Sequence, residues 1–249
     1  ELRPLPRTDL QVSPLCLGTM TFGTPVGEKQ AVEIVHAALD LGVNFIDTAN
    51  MYEGYTRTMG SPGGLSEEYI SIALHDRRHH AVLATKAGNP IGPDPEDKGL
   101  AAPNQPPFSL LTRQILDLCT ENNWPLPVAH QPPFSLLNRA SEDDLLPLCV
   151  EREIAVVPYR ILESGLLSGK YTDPQNPPPG SRAAEKPEWL PQLQDPETQQ
   201  ALAALSVQAQ NEGLSLFDYT IRTTLATPGI TSAILGVKKP EQLAAAVQA

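Results

Sequence analysis

The sequence predicts an α/β fold on a parallel sheet, accommodated by one (β/α)8 TIM barrel over residues 1–249. Short apolar runs alternate with segments of helical periodicity, and that alternation places crossover helices between parallel strands. The chain has 249 residues, close to the roughly 250 that such a barrel occupies. The apolar runs number about six, however, where a full barrel needs eight. The predicted barrel therefore lacks about two βα units.

The elements follow in order. Residues 2–5 and 11–13 flank Thr8-Asp9, a turn signal, and predict a small hairpin. Residues 15–18 are an apolar strand running into a loop bounded by Gly18 and Gly23. Ala31, Val32, Ile34, Val35, Ala38, Leu39 and Leu41 recur with helical period over 28–41, and Gly42 stands where a C-terminal cap belongs. The next buried strand, 43–46, ends at Asp47. Ser66-Glu67-Glu68 predicts a helix to about His75, with the serine as cap and acids in the first turn. Residues 81–85 form a strand ending at Lys86.

The second half continues the pattern less regularly. Helices are predicted over 110–122 and 141–152, the latter capped by Ser141 with Asp143 and Asp144 in its first turn. Strands are predicted over 128–130 and 154–158. A long loop then runs to about Pro196. Helices over 197–211 and 216–226, a strand over 231–235 and a last helix over 240–247 complete the chain. The 26 prolines concentrate at 89–107, 124–133 and 173–196, which read as loops because proline suits neither helix interiors nor central strands.

Composition narrows the function. A formal net charge of −11 argues against nucleic-acid binding and leaves no basic face for an anionic membrane. No run approaches the roughly 20 apolar residues of a membrane span. Glu1-Leu2-Arg3-Pro4 lacks the apolar run of a secretory signal, so a cytoplasmic protein is expected. Cys16, Cys119 and Cys149 form no metal-ligand spacing and no disulfide framework; three buried thiols and no metal are expected.

The chemistry lies where apolar strands end. Asp47, in Phe45-Ile46-Asp47-Thr48-Ala49-Asn50-Met51-Tyr52, and Lys86, in Leu83-Ala84-Thr85-Lys86, both follow strands at the carboxyl end of the sheet, the catalytic face of a barrel. Reduction of a carbonyl by hydride leaves an alkoxide that needs a proton. A tyrosine with its ordinary pKa of about 10 donates poorly at neutral pH. A nearby ammonium stabilises the phenolate and makes the phenol a better acid. The trio thus predicts Tyr52 as general acid, Lys86 as its modulator and Asp47 as the carboxylate that orients Lys86. Taken singly, such an aspartate is more often a loop cap, such a tyrosine usually a core or rim aromatic and such a lysine usually solvated.

Local motifs add weight. Leu17-Gly18-Thr19-Met20-Thr21-Phe22-Gly23 resembles the opening cofactor loop of the aldo-keto reductases. Phe45-Ile46-Asp47-Thr48-Ala49 with Met51-Tyr52 resembles their first signature, and Ser66-Glu67-Glu68 the helix after it. Gly165-Leu166-Leu167-Ser168-Gly169-Lys170-Tyr171 resembles the family's pyrophosphate loop. Thr231-Ser232-Ala233-Ile234-Leu235-Gly236 with Pro240-Glu241-Gln242-Leu243 resembles its last strand and adenosine-phosphate site. The matches run in order along almost the whole chain, and the nearest branch is the bacterial and potassium-channel-β-subunit-like one.

The resemblance implies an NADP(H)-dependent reductase of aldehydes or ketones, its partner a small-molecule carbonyl substrate and its oligomeric state unspecified. It implies Gly18, Thr19, Met20 and Asp47 at the nicotinamide-ribose end. Asn104 and Gln131 would bind the carboxamide, and Tyr159 would stack on the ring. Leu162, Gly165, Leu167 and Lys170 would hold the pyrophosphate, and Gly236, Lys238 and Gln242 the adenosine 2′-phosphate. Lys238 and Lys239 also read as a solvated pair at the start of a helix. Substrate specificity would reside in the loops around 55–64 and 174–191.

The chain departs from the family pattern. The family's Ser-Pro after the stacking aromatic is Arg160-Ile161, and Ala245 and Ala246 replace a Glu and an Asn near the last helix. No residue matches the family's catalytic histidine, which sits on the strand after the lysine. About two βα units, roughly 60 residues, are missing around Leu100-Ala101. Two readings of that junction stay open: a segment of the protein not contained in this sequence, or an internal deletion. The missing histidine also admits a second function, an NADP(H)-binding protein without catalysis that serves as redox sensor or partner subunit.

Overall fold

Successive side chains of three strands alternate between two apolar environments, as a barrel wall requires. In β3 (Leu15–Gly18), β4 (Phe45–Asp47) and β8 (Ala233–Gly236), the residues Cys16, Phe45 and Ile234 turn inward to a cluster with Leu5, Val12 and Val157. Leu17, Ile46 and Leu235 turn outward to a second cluster with Ile34, Ile70 and Leu243 of the surrounding helices. Such burial stabilises by about 1.5–3 kcal/mol per large apolar side chain. These facts come from a computed structural model, which describes residues 1–55, 61, 63–86 and 108–249.

The wall continues on both sides. β5 (Val82–Ala84) pairs in parallel with β4, giving the sheet order β5-β4-β3-β8. β6 (Ala129–His130) and β7 (Ala155–Val156) pair in parallel with each other. A parallel bridge of Val156 to Ile230, with Ile234 N donating to Pro158 O at 2.8 Å, seats β7 beside β8. All six predicted core strands thus exist, running β5-β4-β3-β8-β7-β6. Among the described residues β5 and β6 end the wall, and β5 is only half-buried where β3 and β4 are buried.

Helices cover the outside. α1 (Glu28–Asp40) and α2 (Leu65–Ala73) pack on the first strands, and α8 (Pro240–Gln248) on β8. α3 (Phe108–Glu121) and α4 (Leu145–Glu151) cover β6 and β7 through Leu116, Leu145, Leu146 and Cys149. α5 (Arg182–Glu185) lies in the proline-rich stretch, and α6 (Pro196–Asn211) and α7 (Leu216–Ala226) follow it. The opening hairpin, β1 (Arg3–Pro4) with β2 (Gln11–Val12), plugs one mouth. Leu5 and Val12 fill the lumen, and the Arg3 guanidinium donates to the carbonyls of Ile230, Thr231 and Leu225. The three cysteines are free and buried, as expected; burial pushes the Cys149 thiol up to about 11.

Two predicted caps are corrected. Ser66 lies inside the first turn of α2, whose cap is Gly64 at φ +86, and the serine side chain is wholly buried against Thr19 and Thr48, the residues just past β3 and β4. A tertiary partner outcompetes the local one here. Ser141 sits in a separate 3-10 turn, Ala140–Glu142, and α4 begins only after Asp144. Gly42, at φ +80, does close α1: just past the C-cap residue Leu41, its N–H binds Leu39 O.

Candidate active site at the carboxyl ends of the strands

Register sets the site. Gly236, Gly18 and Asp47 pair across β8, β3 and β4, side by side at the strands' carboxyl ends. A Cβ added at Gly18 would come 2.7 Å from Ile234 Cγ2, so that position admits only glycine without a shift in packing. Beside this flat floor the Asp47 side chain is 3% exposed. A carboxylate so buried needs partners for both oxygens. Oδ2 accepts from Lys86 Nζ at 2.5 Å and Oδ1 accepts from Gln131 Nε2 at 2.6 Å, across the lumen. Lys86 Nζ also donates to Thr48 O at 3.0 Å and lies 4.8 Å from the centre of the Tyr52 ring.

The electrostatics follow. Burial works to lower the pKa of the Lys86 ammonium, but the charge of Asp47, then Tyr52 and the hydrogen bonds of both, outweigh it, and the net shift is upward. The lysine is therefore held charged. Beneath it, Cys16 is pushed well above the thiol range, first by burial and then by Asp47, against the opposing charge of Lys86. That thiol is no nucleophile at neutral pH.

A chain of hydroxyls sets the loop that carries Tyr52. Thr48 Oγ1 donates to Ser66 Oγ at 3.0 Å, Ser66 Oγ donates to Thr19 Oγ1 at 2.8 Å, and Thr19 Oγ1 donates to Asp47 O at 2.9 Å. All three residues are wholly buried. Ser66 N–H then binds Tyr52 O at 3.0 Å. Sequence reading assigned Thr19 to the cofactor and Ser66 to a cap, and missed Thr48; partners 18 and 47 residues apart carry no local signal.

The remaining predicted residues fall around the same rim. Met20 is half-buried just past β3. Tyr159, 40% exposed at the end of β7, is a large ring open to solvent beside the strand that carries Gln131. After it Arg160, Glu163 and Ser164 take positive φ, as does Gly165 at +103. Strained backbone of this kind clusters at ligand sites. Gly165 N–H and Leu167 N–H both bind Leu162 O, and the Leu167 side chain is buried in a local core with Leu166 and Tyr171. Lys170 Nζ lies over Gly165, 2.9 Å from where a Cβ would stand.

At the far end of the rim, Gln242 Oε1 accepts from the N–H groups of Lys238 and Lys239 at 2.7 and 3.2 Å. Lys238 is partly exposed but not free: Nζ donates to Gly180 O at 3.0 Å and to Glu185. Glu185, Arg182 and Tyr55 lie in the loops around 174–191 and 55–64 that the sequence offered for substrate specificity, but none of the three was singled out for the cofactor. Asn104 lies outside the described residues. His130 is in register with Val156, whose side chain joins the outer cluster, so it faces the other side of the wall from Gln131; burial lowers its pKa.

The chain belongs to the aldo/keto reductase family, whose sequence profile matches residues 14–106 and 108–249 in two blocks. The break between blocks falls close to the junction where two βα units were predicted to be missing. Over 100 residues the chain is 47% identical to an uncharacterized oxidoreductase, YrpG, of Bacillus subtilis (strain 168), a stretch that is 39% of this chain and 29% of that protein. It is 36% identical over 107 residues to a probable voltage-gated potassium channel subunit beta of Oryza sativa subsp. japonica, 41% of this chain and 29% of that one. The matched stretch thus spans less than a third of either relative. The fold superimposes on the glycerol dehydrogenase AKR11B4 of Gluconobacter oxydans with a TM-score of 0.70, at 22% identity, covering 99% of this chain and 89% of that one.

Proposed function

We propose that this protein is an NADP(H)-dependent oxidoreductase that reduces small aldehydes or ketones to alcohols. The observation that carries the reading is the buried Asp47 carboxylate, shared between Lys86 and Gln131 with Tyr52 beside the ammonium. The residues present fit a nicotinamide cofactor. Gly18 and Gly236 leave a floor without side chains, the exposed Tyr159 ring offers a stacking face, and Lys238 offers a cation to a phosphate. The cofactor, when bound, supplies the hydride.

The chain's own residues supply the proton. Tyr52 donates it from its phenol oxygen to the oxygen of the reduced carbonyl. Lys86 stabilises the phenolate left behind, and Asp47 keeps Lys86 charged and aimed. Gln131 holds the second carboxylate oxygen and offers its amide to the cofactor's carboxamide. Tyr52→Phe is expected to lower kcat by at least a hundredfold, within the range of general acid catalysis, while NADPH binding by fluorescence titration is kept. Retained turnover would remove Tyr52 from its role.

A second reading rests on one observation: among the described residues no histidine joins the trio. A cofactor-binding protein without turnover, acting as redox sensor or partner subunit, fits that. Wild-type protein that binds NADPH but oxidises it with no member of an aldehyde and ketone panel favours this reading.

A further inference from the structure

The stretch between β7 and α6 reaches the loop after β4 through charged and aromatic contacts. Arg182 Nη2 donates to Tyr55 Oη at 3.1 Å, and its guanidinium lies 5.0 Å from the Tyr55 ring centre and 5.5 Å from that of Trp189. Lys238 Nζ lies 5.3 Å from the same Tyr55 ring. Two cations therefore share one ring, each drawn to its negative face. Of these two cations Lys238 also forms an ion pair, with Glu185 at 2.5 Å, side chains 22% and 34% exposed. In a chain of net charge −11, this is a local cationic surplus held partly neutral by one carboxylate.

We infer that Glu185 is a specificity-determining residue that competes with the adenosine 2′-phosphate of the cofactor for Lys238. The inference rests on the nicotinamide reading above. A phosphate monoester brings about −1.5 to −2 charges at neutral pH. To reach Lys238 it must displace the Glu185 carboxylate, which also repels it. A free 2′-hydroxyl carries no charge and can donate a hydrogen bond to the same carboxylate, as acidic residues do for unphosphorylated ribose elsewhere. Glu185 thus narrows the preference for the phosphorylated cofactor that Lys238 and Arg182 would otherwise create. Glu185 stands on α5, and its ion pair is with Lys238 rather than with the Lys86 that holds Asp47.

The test is calorimetric titration of NADPH and NADH into the full chain as wild type, Glu185→Gln and Glu185→Ala, a readout independent of turnover. Both variants should bind NADPH about tenfold more tightly, the worth of one charge-assisted contact, with NADH binding unchanged or weakened. NADPH affinity unchanged, or both cofactors shifted by the same factor or lost, overturns the role of Glu185. Wild-type protein that binds neither cofactor overturns the nicotinamide reading itself and this inference with it.

Discussion

At the residue scale, Asp47 and Lys86 depend on one another unequally. Asp47 is almost wholly buried, whereas the Lys86 side chain is 31% exposed. Replacing the lysine leaves a desolvated carboxylate with Gln131 as its remaining side-chain donor. Breaking a fully buried pair costs about 3–5 kcal/mol; water at the lysine end reduces this. Lys86→Met should lower stability by about 1–3 kcal/mol in urea unfolding at pH 8. The pKa of Lys86 is raised on folding above its ordinary 10.5, so its contribution is fully present below pH 10.5 and is lost as pH rises through the higher folded value. Repeating the unfolding at increasing alkaline pH should show the wild-type and Lys86→Met curves converging. Curves that stay parallel would mean the ion pair contributes nothing to folding.

At the element scale, two loops of the rim interlock through glycines. Gly54, at φ +88 in the loop after β4, brings its Cα so close to the loop after β3 that a Cβ would stand 2.1 Å from Thr24 N and O. Gly23, at φ +111, stands in the same relation to Glu53 O at 2.2 Å. Tyr55 N–H also binds Thr24 O at 2.6 Å. The loop that carries Tyr52 is therefore clamped against the loop that follows Gly18. Gly54→Ala must separate them, and its positive φ adds strain of about 1 kcal/mol or more. It should lower Tm by several degrees and weaken NADPH binding severalfold, read by thermal melt and titration. An unchanged melt would show that the loops part at no cost.

At the scale of the whole molecule, the wall has unequal parts. β3 lies between β4 and β8 and is buried throughout, whereas β5 is half-buried and Ala129 of β6 is exposed. Local opening is easiest where burial is least. Hydrogen exchange should find the amides of β3, β4 and β8 slowest and those of β5 and β6 faster by an order of magnitude or more. Uniform protection across all six strands would mean that both ends of the wall are covered in solution.

Much of this was legible in the chain. Alternating apolar runs located all six parallel strands, because burial on both faces leaves a continuous hydrophobic signature. Strand ends placed Asp47 and Lys86 together, since parallel strands bring their carboxyl ends to one rim. The helix predicted over 216–226 has those bounds in α7, and the residue before it supplies a local start signal: Ser215 Oγ accepts from Asp218 N. What only tertiary structure decided was the partnership of side chains distant in sequence. Ser66 reads as a helix cap until Thr19 and Thr48 claim its hydroxyl. Lys238 reads as a free cation until Glu185 and Gly180 hold it. Periodicity encodes which face of a segment is buried; it carries no information about which distant polar group meets another inside the fold, and that meeting sets the charge and geometry of this site.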